Sequence, residues 1–568
     1  MAEHGGDLLL DLFSSHDIDH IFCSPGTEWA PVWESLLKRY DSGDRSIEYI
    51  NCRHEILAVA AALGYAKSSR KPSAVLLHAN VGPLHGAMAM RAALLTRAPI
   101  VICSAYSSDF GDYEGNMSHE SHWISRLSDI GGPTTLVKPY VKWTNTVTSK
   151  QTLIDSINRG AQIAQADPCG PVFLAIPKEL MAEDLGSANL PSSVNVSVKT
   201  QPACDDLTEM ASLLVESKNP LIITEYAGEN PGSVNRLIEL AELLSIPVTE
   251  TSSPVFTSFP KKHPLFQGNG DTEILARADV VLVVGSTTPW FPPSAYPKNN
   301  AKVIVLDEDP LKVRLPYDGY RSNFHVVGDI EQSLIQLIGA VGNCLENNAK
   351  PNSLYQQRLE RYTTRHNQMA KQALAEAKAD KSLKPISPKW FHYVANQILP
   401  GNAISIVETL THSRHFYRYM TESQTLFRCS GGGLGSGMGI AIGAKIASPD
   451  TPVIFYVGDG SFNYNPVLAG LGLCQEYKLP ILTVIFNNGR YAAMGIGHRS
   501  LFPDGWAATH DSYLGVDITP QPDYVKIAEA FDTYAEKIED PAGIEPALKR
   551  ALKKLADGKS VLLDVITS

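Results

Sequence analysis

Val457-Gly458-Asp459-Gly460-Ser461, a helix-like run, then Leu479-Pro480-Ile481-Leu482-Thr483-Val484-Ile485-Phe486-Asn487-Asn488-Gly489-Arg490-Tyr491 decide how this chain is read. An apolar strand, Pro452 to Val457, ends in Gly458-Asp459-Gly460-Ser461. A second, Ile481 to Phe486, ends in Asn487-Asn488-Gly489. Parallel strands joined by a helix bring both ends to one sheet edge, where open α/β sheets bind ligands. That edge carries a carboxylate and amides, hard oxygen ligands suited to Mg²⁺ held with a phosphate. The glycines let backbone approach a diphosphate, and Ser461 is expected to open the next helix. Each turn alone is ordinary. Both together, each closing an apolar strand and 29 positions apart from Asp459 to Asn488, form a rarer pattern.

Working outward, the same β-loop-α alternation recurs. The strand Ile21-Phe22-Cys23 runs into Ser24-Pro25-Gly26-Thr27-Glu28, a tight loop in which Thr27 can cap the next helix. A strand at Ser46 to Ile50 leads through His54-Glu55 into the small-residue helix Ile56 to Ala66. Glu55 reads either as an exposed helix-dipole residue or as a functional acid. Ser73 to Leu77 is a strand ending at His78, whose neutral-range pKa suits acid/base work as well as it suits a loop hydrogen bond. His85 is the weaker candidate. Asp109 to Trp123, with His119 and His122, reads as a loop.

Two patternless stretches, Asp184 to Pro202 and Asn347 to Ser387, divide the chain, the second joined to a mostly exposed helix. The expected units are 1–185, 200–345 and 385–568, all doubly wound α/β domains with parallel sheets. The glycine run Gly431 to Gly439 leads into the small-residue helix Ile440 to Ile446, and Gly489 to Ile518 reads as irregular.

The bulk numbers narrow the function. With 568 residues the chain is too long for one core. The formal net charge is −11 and no long basic run occurs, which argues against a nucleic-acid partner. The eight cysteines are scattered without a C-x-x-C pair, as expected for reduced thiols in the cytoplasm. Met1 to Asp7 is polar and lacks the build of a leader, and no stretch reaches membrane-span length.

The paired strand ends resemble the thiamin-diphosphate (ThDP) motif of the pyruvate decarboxylase and acetolactate synthase superfamily. The similarity runs over essentially the whole chain and is nearest to the benzoylformate decarboxylases. It is carried by Ser-Pro-Gly-Thr (24–27), His-Glu-Ile-Leu-Ala (54–58), Leu-His-Ala-Asn-Val-Gly (77–82), Cys-Ser-Gly-Gly-Gly-Leu-Gly (429–435), Gly-Asp-Gly-Ser-Phe-Asn-Tyr (458–464) and Asn-Asn-Gly-Arg-Tyr (487–491).

The resemblance implies pyrimidine-binding, central and diphosphate-binding domains, in that order. It makes Glu55 the pyrimidine-activating acid, reaching a neighbouring subunit's cofactor, so a homodimer is the minimum and a homotetramer the expected assembly. Asp459, Asn488 and the Arg490 carbonyl become Mg²⁺ ligands. Pro25, Thr411, Gly458, Gly460, Ser461 and Tyr491 line the cofactor. The Gly432 carbonyl would receive the aminopyrimidine, and Leu434 would hold the rings in a V shape. His78 matches an active-site histidine, and Thr27 stands where a serine binds substrate carboxylate.

The implied activity is Mg²⁺-dependent decarboxylation of a 2-oxo acid, with carboligation of the enamine intermediate to an aldehyde or ketone acceptor. The alternatives are an acetolactate-synthase-like carboligase and a non-catalytic ThDP-binding relative. The sequence departs from the pattern in Gly285 to Tyr296, which lacks a second catalytic histidine. It lacks the tandem His-His of pyruvate decarboxylase too. The Gln-Trp that follows the asparagine in acetolactate synthases is also missing after Asn488.

Overall fold

Apolar runs bounded by glycine, proline and polar loops build three parallel sheets of six strands each in the computed structural model. It describes residues 4–107, 129–186, 190, 199–291, 295–316, 319–347, 352–422, 425–428 and 433–568. His119, His122 and Gly432 lie outside them.

The first sheet contains β1 (His20–Ser24), β2 (Glu48–Asn51), β3 (Ser73–Leu77), β4 (Ile100–Tyr106), β5 (Trp143–Thr146) and β6 (Val172–Pro177), in the order β2-β1-β3-β4-β6-β5. The second contains β7 (Pro220–Thr224), β8 (Val248–Glu250), β9 (Phe266–Asn269), β10 (Val280–Val284), β11 (Lys302–Asp307) and β12 (Phe324–Val327), in the order β12-β11-β10-β7-β8-β9. The third contains β13 (Ile404–Glu408), β14 (Thr425–Arg428), β15 (Val453–Gly458), β16 (Ile481–Asn487), β17 (Tyr534–Ile538) and β18 (Val561–Ile566), in the order β14-β13-β15-β16-β18-β17. Central strands such as β3, β7 and β10 are buried along their whole length, as a parallel sheet covered on both faces requires.

The sequence reading missed short strands at sheet edges. β5 and β12 are only four residues long and partly exposed, so neither carries the apolar run that announces a buried strand. The stretch read as irregular after Gly489 contains helices at Ala492–Leu501 and Trp506–His510. Neither has a buried residue, so no apolar stripe marked them. The long helix Asn352–Ala379 is anchored on the central unit rather than standing free. Buried Arg358 donates to the carbonyls of Leu244 (2.7 Å) and Ser217 (2.9 Å).

The first and third units meet through two helices of small residues, Glu55–Ser69 and Gly437–Ala447. A Cβ on Gly443 would lie 1.8 Å from the Ala61 carbonyl oxygen, and one on Gly64 would lie 2.1 Å from that of Ile440. The backbones therefore touch, and only glycine permits it at these crossings. Arg53 pairs with Glu476 nearby, and the Tyr477 hydroxyl accepts from the Asn51 N–H at 2.9 Å. Buried Arg97 joins the first unit to the second through Asp307 and Glu308, each at 3.0 Å. Among the described residues, Cys23, Cys52, Cys103 and Cys474 are buried free thiols, and no helix is long and apolar enough to cross a membrane.

Candidate active site

Two sheet edges carry the residues singled out above. In the first unit β1 lies between β2 and β3, with Cys23 opposite Asn51 and Ser24 opposite Leu77. The loops that follow these strands therefore emerge side by side. They bring together Pro25 to Glu28, the start of the Glu55 helix, and His78 to Asn80.

The most deeply set group there was not among the candidates. Glu28 is 1% exposed, and its Oε1 lies 2.6 Å from His78 Nδ1 while accepting the Ala79 N–H at 2.8 Å. An ionised carboxylate only accepts, so Nδ1 of His78 carries the hydrogen. The hydrogen bond to Glu28 raises the His78 pKa against the opposing effect of burial. Burial pushes Glu28 up, but the hydrogen bonds from His78 and backbone outweigh it and hold Glu28 below its ordinary range. Gly26 makes room for the pair, since a Cβ there would lie 2.3 Å from both Glu28 Oε2 and His78 Nδ1. The only sequence signal was the position of Glu28, one residue beyond the Ser24-to-Thr27 phrase.

Thr27 does not cap a long helix. It opens the short 3-10 turn Thr27–Trp29, while Trp29 is the N-cap of the helix Ala30–Asp41, and Thr27 and Pro25 are exposed on the same loop. Glu55 is the first residue of its helix and half-buried. Its Oε2 is 3.2 Å from His85 Nδ1 and 3.8 Å from His54 Nδ1. The histidine rings stack 5.7 Å apart. His85 thus stands closer to Glu55 than its place in a helix suggested.

In the third unit β13, β15 and β16 are neighbours, with Glu408 opposite Val457 and Gly458 opposite Phe486. Their ends align Thr411, Asp459 and Asn488 along one edge. Asp459 is 2% exposed, and its Oδ2 accepts from the Gly489 N–H at 2.8 Å and from Gln521 Nε2 at 2.6 Å. Burial raises its pKa despite these bonds, so the carboxylate favours a nearby cation. Gln521, 62 residues away in sequence, was not foreseen. Asn488 Oδ1 accepts the Arg490 N–H at 3.0 Å, which folds the amide over the turn, and Gly489 adopts a φ of +69°. Arg490 pairs with Asp517 at 2.7 Å.

Gly458 caps the helix Asp459–Tyr464, so Ser461 sits within its first turn, buried, rather than opening it. A Cβ on Gly460 would lie 2.6 Å from the Tyr491 ring, so backbone and ring form one narrow wall. Gly433 and Leu434, within the glycine run, are half-buried. The run is pinned by buried Glu408, whose Oε1 accepts the N–H groups of Gly435 (2.9 Å), Ser436 (3.1 Å) and Gly437 (3.1 Å). Asn465 completes the anchor, donating to Glu408 Oε2 at 2.6 Å. Glu408 is the second functional-looking acid that sequence patterning passed over, since it closes an apolar strand like any turn residue.

Comparison with known proteins follows this division into units. Residues 3–122 match the thiamine pyrophosphate enzyme N-terminal TPP binding domain, residues 207–337 its central domain and residues 409–565 its C-terminal TPP binding domain. The chain belongs to the thiamine pyrophosphate enzyme family. Among relatives of this family, benzoylformate decarboxylase of Pseudomonas aeruginosa is 28% identical, over 98% of this chain and 97% of its own length. The mitochondrial acetolactate synthase catalytic subunit of Aspergillus candidus is 25% identical, over 100% of this chain and 81% of its own. The crystal structure of benzoylformate decarboxylase from Polynucleobacter necessarius shares the fold, with a TM-score of 0.80 at 20% identity over 100% of this chain and 99% of that one. The thiamine diphosphate-dependent 4-hydroxybenzoylformate decarboxylase of Rhodococcus jostii RHA1 gives 0.77 at 22% identity over the same shares.

Proposed function

We propose that this thiamine pyrophosphate enzyme uses ThDP and Mg²⁺ to decarboxylate a 2-oxo acid and also joins the donor unit to an aldehyde or ketone acceptor. The observation that carries the reading is the Glu28–His78 pair. Its hydrogen bond raises the His78 pKa and so favours the proton-carrying imidazole at the first sheet edge, where aldehyde release needs a proton donor.

The residues present fit the cofactor. Asp459 is a buried carboxylate favouring a cation, Asn488 and the Arg490 carbonyl add hard oxygens, and the Gly460–Tyr491 wall has no space for another side chain. These three groups would hold Mg²⁺. Pro25, Thr411, Gly458, Gly460, Ser461 and Tyr491 would line ThDP, with Gly432 and Leu434 at the aminopyrimidine. When bound, the cofactor would supply a nucleophilic carbon and an electron sink for the pair left behind as CO₂ departs.

The protein's own part is proton handling. Glu55 holds and moves a proton at the pyrimidine nitrogen. His78 Nε2 delivers one to the product carbon after CO₂ has left, and Glu28 fixes the imidazole for that transfer. Thr27, on the same loop as Glu28, receives the substrate carboxylate. In the proposed assembly a second subunit completes the site, as the family resemblance implies, hence a homodimer at minimum, with a homotetramer as the proposed form. The proposed units are 1–185 for the pyrimidine, 200–345 as the central domain and 385–568 for the diphosphate, in a cytoplasmic protein.

Full-length similarity to acetolactate synthases supports a second reading, in which carboligation is the main activity. A screen of 2-oxo acids with ThDP and Mg²⁺, scoring CO₂ and trapped products with and without added aldehyde, separates the two. Free aldehyde as the main product is expected. Hydroxyketone alone would favour the synthase reading, and absence of CO₂ from every donor would sink both.

A further inference from the structure

Asp459 and the Asn488–Arg490 turn stand at the ends of two different strands, and one further stretch of chain braces both. Val516 to Gln521 runs back along the turn. The Tyr491 N–H donates to the Val516 carbonyl at 2.7 Å, and the Ile518 N–H donates to the Gly489 carbonyl at 3.0 Å. The two bonds close an antiparallel bridge between Arg490 and Asp517. Buried Val516 anchors one end of this strap. The Arg490–Asp517 ion pair is open to solvent, so it adds little holding strength.

Gln521 supplies the side chain that links the strap to the other strand end. Pro520 and Pro522 on either side of it are exposed, while Gln521 itself is half-buried and reaches back to Asp459. Its Nε2 donates to Asp459 Oδ2 at 2.6 Å, and the Gly489 N–H donates to the same oxygen at 2.8 Å. A carboxylate only accepts, so the amide presents its nitrogen. The amide also passes over the turn, since a Cβ on Gly489 would lie 3.9 Å from Nε2. The two prolines restrict the backbone around Gln521, so holding the amide in place costs little further order.

Two donors on one oxygen fix the rotation of the Asp459 carboxylate and tie it to the Asn488–Arg490 turn. The bond from Gln521 is charge-assisted and short, as the stronger hydrogen bonds are. Mg²⁺ demands near-ideal octahedral geometry. A ligand already held by its neighbours need not be ordered when the ion arrives, and loss of such a neighbour weakens metal binding although every ligand remains.

Building on the Mg²⁺ reading above, we propose that Gln521 is a positioning residue for the metal. Its amide orients Asp459, and through Asp459 it sets the affinity for Mg²⁺ and hence for ThDP. Gln521 acts through the carboxylate and is not itself a ligand.

The test titrates the metal-stripped full chain with Mg²⁺ at saturating ThDP, by calorimetry, in wild type, Gln521→Met and Asp459→Asn. Gln521→Met keeps the side-chain length and removes the donor. It should weaken Mg²⁺ by about ten- to a hundredfold. ThDP affinity should fall in parallel at low Mg²⁺ and return to the wild-type value in excess Mg²⁺, because all the ligands are still present. Asp459→Asn should show no such return. Gln521→Asn, one methylene too short to reach, should repeat the result and carries the test if thermal unfolding shows that Gln521→Met does not fold. Wild-type Mg²⁺ affinity in the Gln521 variants beside a loss in Asp459→Asn would overturn this proposal alone. Wild-type affinity in Asp459→Asn as well would overturn the metal reading with it. A loss in the Gln521 variants that excess Mg²⁺ does not reverse would overturn the positioning role.

Discussion

Glu28 Oε1 and His78 Nδ1 are 2.6 Å apart, and a chain separation of 50 residues is closed by the adjacency of β1 and β3. The carboxylate is buried and the imidazole half-exposed, so the pair is a fixed anion beneath a proton carrier facing the open edge.

The sign of its pH dependence follows. The His78 pKa is raised above the ordinary 6.5, so stability from its protonation is complete below that value and is lost as pH rises through the raised one. The Glu28 pKa is lowered from 4.5, so its contribution is present above 4.5 and is lost as pH falls through the lowered value. Glu28→Gln should therefore move the His78 titration, and the alkaline limb of the turnover profile, to lower pH. NMR titration of the ring beside a pH–rate series checks it. An unmoved limb would detach Glu28 from the proton donor.

His78→Ala should slow aldehyde release far more than CO₂ loss, by the hundredfold or so typical of a missing general acid. Products should also shift toward hydroxyketones when an acceptor aldehyde is present. Single-turnover measurement of both steps decides it. Equal slowing of the two would assign His78 to substrate placement.

Asp459 serves two partners, so its substitution needs a control. Asp459→Ala strands the Gly489 N–H and the Gln521 amide, costing about 1–3 kcal/mol of stability besides any loss of cofactor. Asp459→Asn keeps a side chain of the same size whose amide oxygen can still accept from Gly489 and Gln521, while it removes the charge and turns the other oxygen into a donor. Both variants should lose Mg²⁺-dependent ThDP binding in calorimetry, while the Asn form unfolds nearer to the wild-type temperature. Wild-type ThDP affinity in the Asn variant would refute the metal assignment.

Gly443→Ala should destabilise the protein without touching the candidate site. The added methyl would lie 1.8 Å from the Ala61 carbonyl oxygen, backbone that cannot swing away. Overpacking of this kind costs about 1–3 kcal/mol. Thermal unfolding with and without ThDP measures it, and a melting temperature equal to wild type would mean that the two helices separate freely.

Much of this protein was legible from residue order alone. Apolar runs closed by Gly458-Asp459-Gly460 and Asn487-Asn488-Gly489 fixed two strand ends, because burial on both faces of a parallel sheet demands continuous apolar sequence. Sequence pattern of the same kind located β3 and the small-residue helix behind Glu55. What only the tertiary structure decided are the pairs that join distant loops: Glu28 with His78, Gln521 with Asp459, Glu408 with the glycine run, and His85 with Glu55. Such contacts depend on which strands lie side by side, and strand order leaves no local trace in sequence. An acid at a strand end reads as a turn residue until a neighbouring strand supplies the group that it holds.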